Sequence, residues 1–86
     1  MNPRRLLKRL TEGAFSNVAF SDAQKLTEAL GFNLERIGSS RHHIYKHPDL
    51  TERLNLQPLN GQAKEYQLRQ LLALVEQYDL KLKEDR

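Results

Sequence analysis

The sequence has no cysteine, few glycines and prolines, and no long apolar run. Without cysteine, disulfide bonds and thiolate metal sites are excluded. No apolar stretch approaches the roughly 20 residues of a membrane-spanning helix, so no membrane partner is expected. The basic amino terminus lacks the apolar block and cleavage site of a secretion signal, so a cytoplasmic location is expected. The four glycines do not form a phosphate-binding loop pattern.

The composition is that of one small globular domain. Apolar residues make up 38% of the 86 residues and charged residues 29%. A chain of this length predicts a single domain over residues 1–86, with a core too small for a deep cofactor site. The net charge of +3 favours contact with polyanions. Its cations concentrate in two groups: Arg4, Arg5, Lys8 and Arg9, and then Arg36, Arg41 and Lys46.

Three segments have helical patterns. Asn2-Pro3 suits a helix start, and Gly13 suits its end, so residues 1–13 are predicted to form an amino-terminal helix. Ser21 and Gln24 have the spacing of a capping box, which predicts a second helix that ends at Gly31. A long amphipathic helix is predicted from Ala63 onward, with an apolar stripe of Leu68, Leu71, Leu72 and Val75.

Three strands are predicted between the second and third helices. Phe32–Ile37 alternates, His42–His47 is β-compatible, and the third strand runs from Leu54 to Pro58. The connections are short, so the strands should form an antiparallel meander with helices packed on one face and the other face open. The fold class is therefore α+β. The charged tail Lys81–Arg86 is expected to be frayed.

All three histidines lie between Gly38 and Pro48. Histidine is the side chain that can exchange a proton near physiological pH without special tuning. Alternation along a strand places His42 on the open face and places His43 and His47 on the opposite face. His43 and His47 would lie about 13 Å apart. Ligands of one zinc ion each lie about 2 Å from it, so no metal is expected here.

Acid–base chemistry on a phosphodiester fits the segment better. His42 would stand beside Arg41 and Lys46 on an exposed sheet, with the cations holding phosphate while the imidazole moves a proton. RNA supplies its own nucleophile, the 2′-hydroxyl, so RNA is favoured over DNA. Nothing orients Ser39 or Ser40 as a nucleophile. Further candidate RNA contacts are Arg36, Asn55 and Gln57.

The segment Gly38-Ser39…His42-His43-Ile44-Tyr45-Lys46-His47-Pro48, followed by Leu54-Asn55-Leu56-Gln57-Pro58 and Gly61-Gln62-Ala63-Lys64, resembles the HicA family. These are small bacterial toxins of type II toxin–antitoxin systems that act as mRNA interferases. The resemblance covers most of the chain from Ser21 onward. It implies a fold similar to the double-stranded-RNA-binding domain, α-β-β-β-α, to which the predicted amino-terminal helix is an addition.

The resemblance implies one catalytic histidine after the Gly-Ser pair, at the head of the second strand. Counting back three residues from Tyr45 places it on His42. Many members have their histidine close behind Gly-Ser, whereas Ser40 and Arg41 intervene here, so His43 is the alternative. Arg41, Lys46 and Ser39 would then hold or position phosphate. A HicB-type antitoxin is the implied protein partner. The rival interpretations are a non-catalytic RNA-binding module and a protein-interaction domain derived from an inactivated toxin.

Overall fold

A computed structural model describes residues 1–86 as three helices and five strands. The helices are α1 (Pro3–Thr11), α2 (Phe20–Ala29) and α3 (Glu65–Tyr78). The strands are β1 (Asn33–Ile37), β2 (His43–Lys46), β3 (Arg53–Leu56), β4 (Pro58–Leu59) and β5 (Gln62–Ala63). Short 3₁₀ turns cover Ser39–Arg41 and Lys83–Asp85.

The first three strands form an antiparallel meander in the order β1-β2-β3. In β2 and β3, the residues that face the helices are buried, namely Tyr45, Leu54 and Leu56. Ile44 lies opposite Asn55 on the other face, where Lys46 and Asn55 are exposed. The register of β1 against β2 shifts between Leu34 and Arg36, as in a β-bulge. The predicted α+β meander with one open face is confirmed.

The helices supply the other side of the core. Leu6 and Leu10 of α1 are buried, and so are Ala23 and Leu26 of α2 and Leu68 and Leu71 of α3. The side chain of Asn2 accepts a 2.8 Å hydrogen bond from the Arg5 N–H, which caps α1 as predicted. The amino-terminal helix is therefore part of the core, because its leucine stripe packs against α2 and α3.

The predicted capping box of α2 is wrong. The helix begins at Phe20, and the residue at its cap is Ala19, which has no side-chain oxygen. The Phe20 N–H donates to the carbonyl of Gly61 at 2.9 Å, so a neighbouring segment satisfies this end of the helix. Gln24, the proposed partner of Ser21, instead reaches the Tyr45 hydroxyl at 3.5 Å.

The prediction of a frayed carboxyl terminus is also wrong. Leu82 is buried, and the guanidinium of Arg4 contacts Glu84 at 2.9 Å and Asp85 at 2.6 Å. Arg86 donates to the carbonyl of Leu30 at 3.1 Å. A single apolar residue thus docks a segment whose composition is otherwise that of a solvated tail.

The third strand is shorter than predicted, because it ends at Leu56. Pro58 instead begins the two-residue strand β4, which pairs with β5 across Asn60-Gly61. Both turn residues have positive φ, as a tight hairpin turn requires. This hairpin returns the chain toward the start of α3. None of the helices has the length and apolarity to cross a membrane.

Candidate functional site

The turn between β1 and β2 holds the first two histidines and is conformationally unusual. Ser40 and Arg41 are consecutive non-glycine residues in the left-handed region, with φ of 56° and 60°. Each costs about 1–2 kcal/mol relative to ordinary backbone. The Gly38 N–H closes the turn by donating to the carbonyl of His42 at 2.8 Å. Strain of this kind is found at functional sites more often than elsewhere.

His42 ends this turn and precedes β2, so the predicted strand start at His42 is one residue early. Its side chain is half-buried, and Nδ1 lies 2.8 Å from the carbonyl oxygen of Ser39. A carbonyl only accepts, so Nδ1 carries the proton, and in the neutral imidazole Nε2 keeps its lone pair. Nε2 makes no hydrogen bond within the protein. The turn therefore orients this imidazole with a free acceptor nitrogen.

His43 has the same neutral tautomer, and its Nε2 likewise makes no hydrogen bond within the protein, but its environment differs. Its Nδ1 lies 2.8 Å from the carbonyl of Arg41, and its ring packs edge-to-face on Phe20 with centroids 4.9 Å apart. It pairs with Ile37 and Leu56 in the register of the sheet, on the side of the helices. The ring of His43 thus belongs to the margin of the core, on the opposite side of the sheet from Ile44.

His47 is a structural residue. It is 1% exposed, and its ring lies edge-to-face against Phe32 at 5.1 Å. Nε2 donates to the carbonyl of Leu30 at 3.2 Å, and Nδ1 accepts from the Asp49 N–H at 3.1 Å. With both ring nitrogens engaged, His47 holds the end of β2 against the end of α2.

The structure brings two of the predicted cations to the turn. Arg41 is part of it and exposed. A guanidinium nitrogen of Arg36 lies 3.3 Å from the position that a Cβ on Gly38 would occupy. Ser39 contributes its main-chain carbonyl, which orients His42.

Lys46 does not join them, because it lies at the other end of β2, about 13 Å along the chain from His42. Near it, Glu35 and Arg53 form a two-point ion pair at 2.8 and 3.1 Å. The hydrogen bond from Arg53, together with the charges of Arg53, Lys46 and Arg36, lowers the pKa of the Glu35 carboxyl. The Arg53 cation is therefore neutralised, and Lys46 is the free positive charge at this end.

Gln57 supports the turn. Its Nε2 donates to the carbonyl of Ser40 at 3.0 Å, and its Oε1 accepts from Nζ of Lys64 at 2.6 Å. Asn55, the other predicted polar contact, is exposed on the open face. Sequence reasoning did not select Lys64 as a site residue. The signal was the Asn60-Gly61 turn, because a hairpin there returns the chain, and with it Lys64, to Gln57.

No three His, Asp or Glu side chains gather in a geometry that could hold a metal ion. The groups assembled at this end of the sheet are two imidazoles, each with a free acceptor nitrogen, two guanidinium groups and one ammonium group. No model of a known protein family matches the chain, and no curated protein and no solved structure matches it either.

Proposed function

We propose that this protein is an endoribonuclease of the HicA type, a toxin that cleaves mRNA by metal-independent chemistry. The observation that carries the proposal is the imidazole of His42, whose Nδ1–H is fixed on Ser39 and whose Nε2 has no partner in the chain. Unlike the ring of His43, it does not pack against an aromatic side chain. A histidine held in one tautomer by a main-chain carbonyl is oriented for proton transfer from its other nitrogen. Its turn is strained and carries Arg41.

The reaction needs only groups that the chain and RNA supply. Nε2 of His42 accepts the proton of a ribose 2′-hydroxyl as that oxygen attacks the adjacent phosphorus. The bond from phosphorus to the 5′-oxygen breaks, and the leaving oxygen takes a proton from the imidazolium or from water. The products are a 2′,3′-cyclic phosphate and a 5′-hydroxyl. Arg41 and Arg36 stabilise the negative charge that develops on the phosphoryl oxygens.

The RNA strand is proposed to bind along the open face of the sheet. Asn55 offers an amide on that face, and Lys46 contacts backbone further from the cleaved bond. Gln57 acts by holding the turn and the ammonium group of Lys64.

A HicB-type antitoxin is the proposed protein partner. Two apolar residues of the edge strand β1 are exposed: Ile37, next to the histidine turn, is 58% exposed, and Leu34, three residues further from it, is 43% exposed. Their exposure also favours the second candidate function, a protein-interaction domain without nuclease activity. The two candidates differ in whether the free protein cleaves RNA.

The test is cleavage of mRNA in EDTA by wild type, His42→Ala and His43→Ala. His42→Ala should lose about 10²–10⁴-fold in rate, the contribution of a general acid–base group. Its free energy of unfolding should change little, because the ring is at the surface of a turn. His47→Ala is the matched control, since it removes the buried imidazole and should lower stability while leaving the activity of the folded fraction.

Three results distinguish catalysis by His42 from the alternative functions. Activity in His42→Ala with an inactive His43→Ala would move the chemistry to the neighbouring residue. RNA cleavage by both His42→Ala and His43→Ala would contradict the proposal. RNA binding without cleavage by the wild type would leave a non-catalytic RNA-binding module.

A further inference from the structure

A shallow groove of about 470 Å³ lies at the β4–β5 hairpin and the start of α3 and has no role in the chemistry above. Its walls include Leu59 of the β4–β5 hairpin and Tyr66 in the first turn of α3, with Lys64 and Glu65 between them. Leu59 is 59% exposed and Tyr66 is 56% exposed. Two large apolar side chains therefore face solvent across a groove that already contains a cation.

A chain of hydrogen bonds connects the groove to the turn. Gln67 is 2% exposed, and its Oε1 accepts from the Gln57 N–H at 2.7 Å. That bond fixes the orientation of the Gln67 amide, whose Nε2 then donates to the Tyr66 hydroxyl at 3.2 Å. The Gln57 side chain continues to the carbonyl of Ser40. A buried glutamine thus holds an exposed aromatic ring in a fixed relation to the residues beside His42.

We infer that this groove is a nucleobase subsite, in which Tyr66 stacks against a base of the RNA close to the cleaved phosphate. The inference rests on the proposed function and names a further binding element for it. An aromatic face stacks on any base, and Leu59 covers the second side. Lys64 binds a phosphate of the same nucleotide. The Glu65 carboxylate repels phosphate but accepts from the amino group of a base, so the groove suits a base rather than a second phosphate.

The experiment measures binding of a 2′-O-methylated single-stranded RNA, which cannot be cleaved, to wild type, Tyr66→Ala, Tyr66→Phe and Tyr78→Ala. Tyr66→Ala should bind about 5- to 150-fold more weakly, the range for losing one base stack. Tyr66→Phe keeps the stacking ring but loses the hydroxyl that accepts from Gln67, so its affinity should fall less than that of Tyr66→Ala. Tyr78→Ala is the matched control, because it removes a partly exposed tyrosine about 18 Å further along α3.

Two further measurements separate stacking from a general structural effect. An abasic nucleotide scanned along the RNA should weaken binding to wild type at one position and should have no further effect there in Tyr66→Ala. The salt dependence should keep its slope in Tyr66→Ala and should fall by about 0.7 in Lys64→Ala, the value for one phosphate contact on a single strand.

The outcomes distinguish the subsite from the proposed chemistry. Equal binding by Tyr66→Ala and wild type, with cleavage intact, would overturn the subsite and leave the nuclease. Position-specific loss in Tyr66→Ala without any cleavage by wild type would support the subsite and overturn the nuclease. A wild-type protein that binds no RNA would overturn both.

Discussion

The side-chain amide of Gln57 donates a 3.0 Å hydrogen bond to the main-chain carbonyl of Ser40. This contact joins the segment after β3 to the β1–β2 turn at Ser40, the first of the two left-handed residues in that turn. The same side chain accepts from Lys64, so the start of α3 is attached to the turn as well. The position of the His42 imidazole therefore depends on a residue that is not in its own hairpin.

Gln57→Ala tests this dependence. Without the amide, the left-handed turn loses its hydrogen bond to the segment after β3, and the imidazole of His42 is positioned less accurately. A misplacement of about 1 Å can reduce an enzymatic rate by about 10²-fold. We expect RNA cleavage to fall at least tenfold in kcat, and the amide signals of Ser40 and Arg41 to show increased mobility in NMR relaxation. Gln77→Ala, an exposed glutamine replaced on α3, is the control. Unchanged kcat in Gln57→Ala would contradict the dependence.

Gly31→Ala should be strongly destabilising. Gly31 has φ of +101°, and a Cβ there would lie 2.8 Å from Nε2 of the buried His47. Backbone strain and overpacking together should cost about 2–4 kcal/mol of unfolding free energy in urea titration. Gly13 has φ of +87° but nothing within 4 Å, so Gly13→Ala should cost only the backbone contribution of about 1–2 kcal/mol. Equal losses in the two variants would show that His47 moves aside freely.

Leu82→Ala measures whether the carboxyl-terminal segment is docked. Leu82 is 3% exposed, so truncation should lower the free energy of unfolding by about 2 kcal/mol or more. Lys83→Ala, next to it and exposed, should change stability by less than about 0.5 kcal/mol. If Leu82→Ala is as stable as Lys83→Ala, the carboxyl-terminal segment is not docked on the core and is frayed, as predicted from the sequence.

The pair of Tyr78 and Glu52 predicts a pH dependence. The Tyr78 hydroxyl contacts the Glu52 carboxylate at 2.7 and 2.8 Å, which lowers the pKa of Glu52 and raises the pKa of Tyr78. Stability from the pair is present between the two pKa values. It is lost as pH falls through that of Glu52 and as pH rises through that of Tyr78.

Glu52→Gln should therefore shift the Tyr78 phenolate transition to lower pH in an alkaline absorbance titration. Tyr78→Phe identifies that transition by removing it. If the transition keeps its midpoint in Glu52→Gln, the hydrogen bond is not formed in solution.

The sequence was sufficient for elements whose pattern is local. The start of α1 at Asn2-Pro3 and the start of the third strand near Leu54 were predicted because each follows from neighbours in the chain. The predicted strands Phe32–Ile37 and His42–His47 also left residues 38–41 for the turn between them, where the structure has it.

The errors came from contacts between distant segments. Ser21 satisfies every local rule for a cap, but Gly61 accepts from the Phe20 N–H and the helix begins earlier. Leu82 is one apolar residue among charged ones, and only the three-dimensional arrangement shows that it completes the core. In the candidate site, alternation placed Lys46 on the face of His42, but the four-residue spacing that separates His43 from His47 also puts Lys46 about 13 Å from His42. Lys64 required knowledge of how the β4–β5 hairpin folds back.

The contacts of Arg4 with Glu84 and Asp85 hold α1 against the carboxyl-terminal segment. A flexible linker of glycine and serine residues could join Arg86 to Met1, and the covalent order of the segments could then be changed by opening the loop at Thr51 instead. Such a circularly permuted protein would show whether the amino-terminal helix must be synthesised first or simply has to be present.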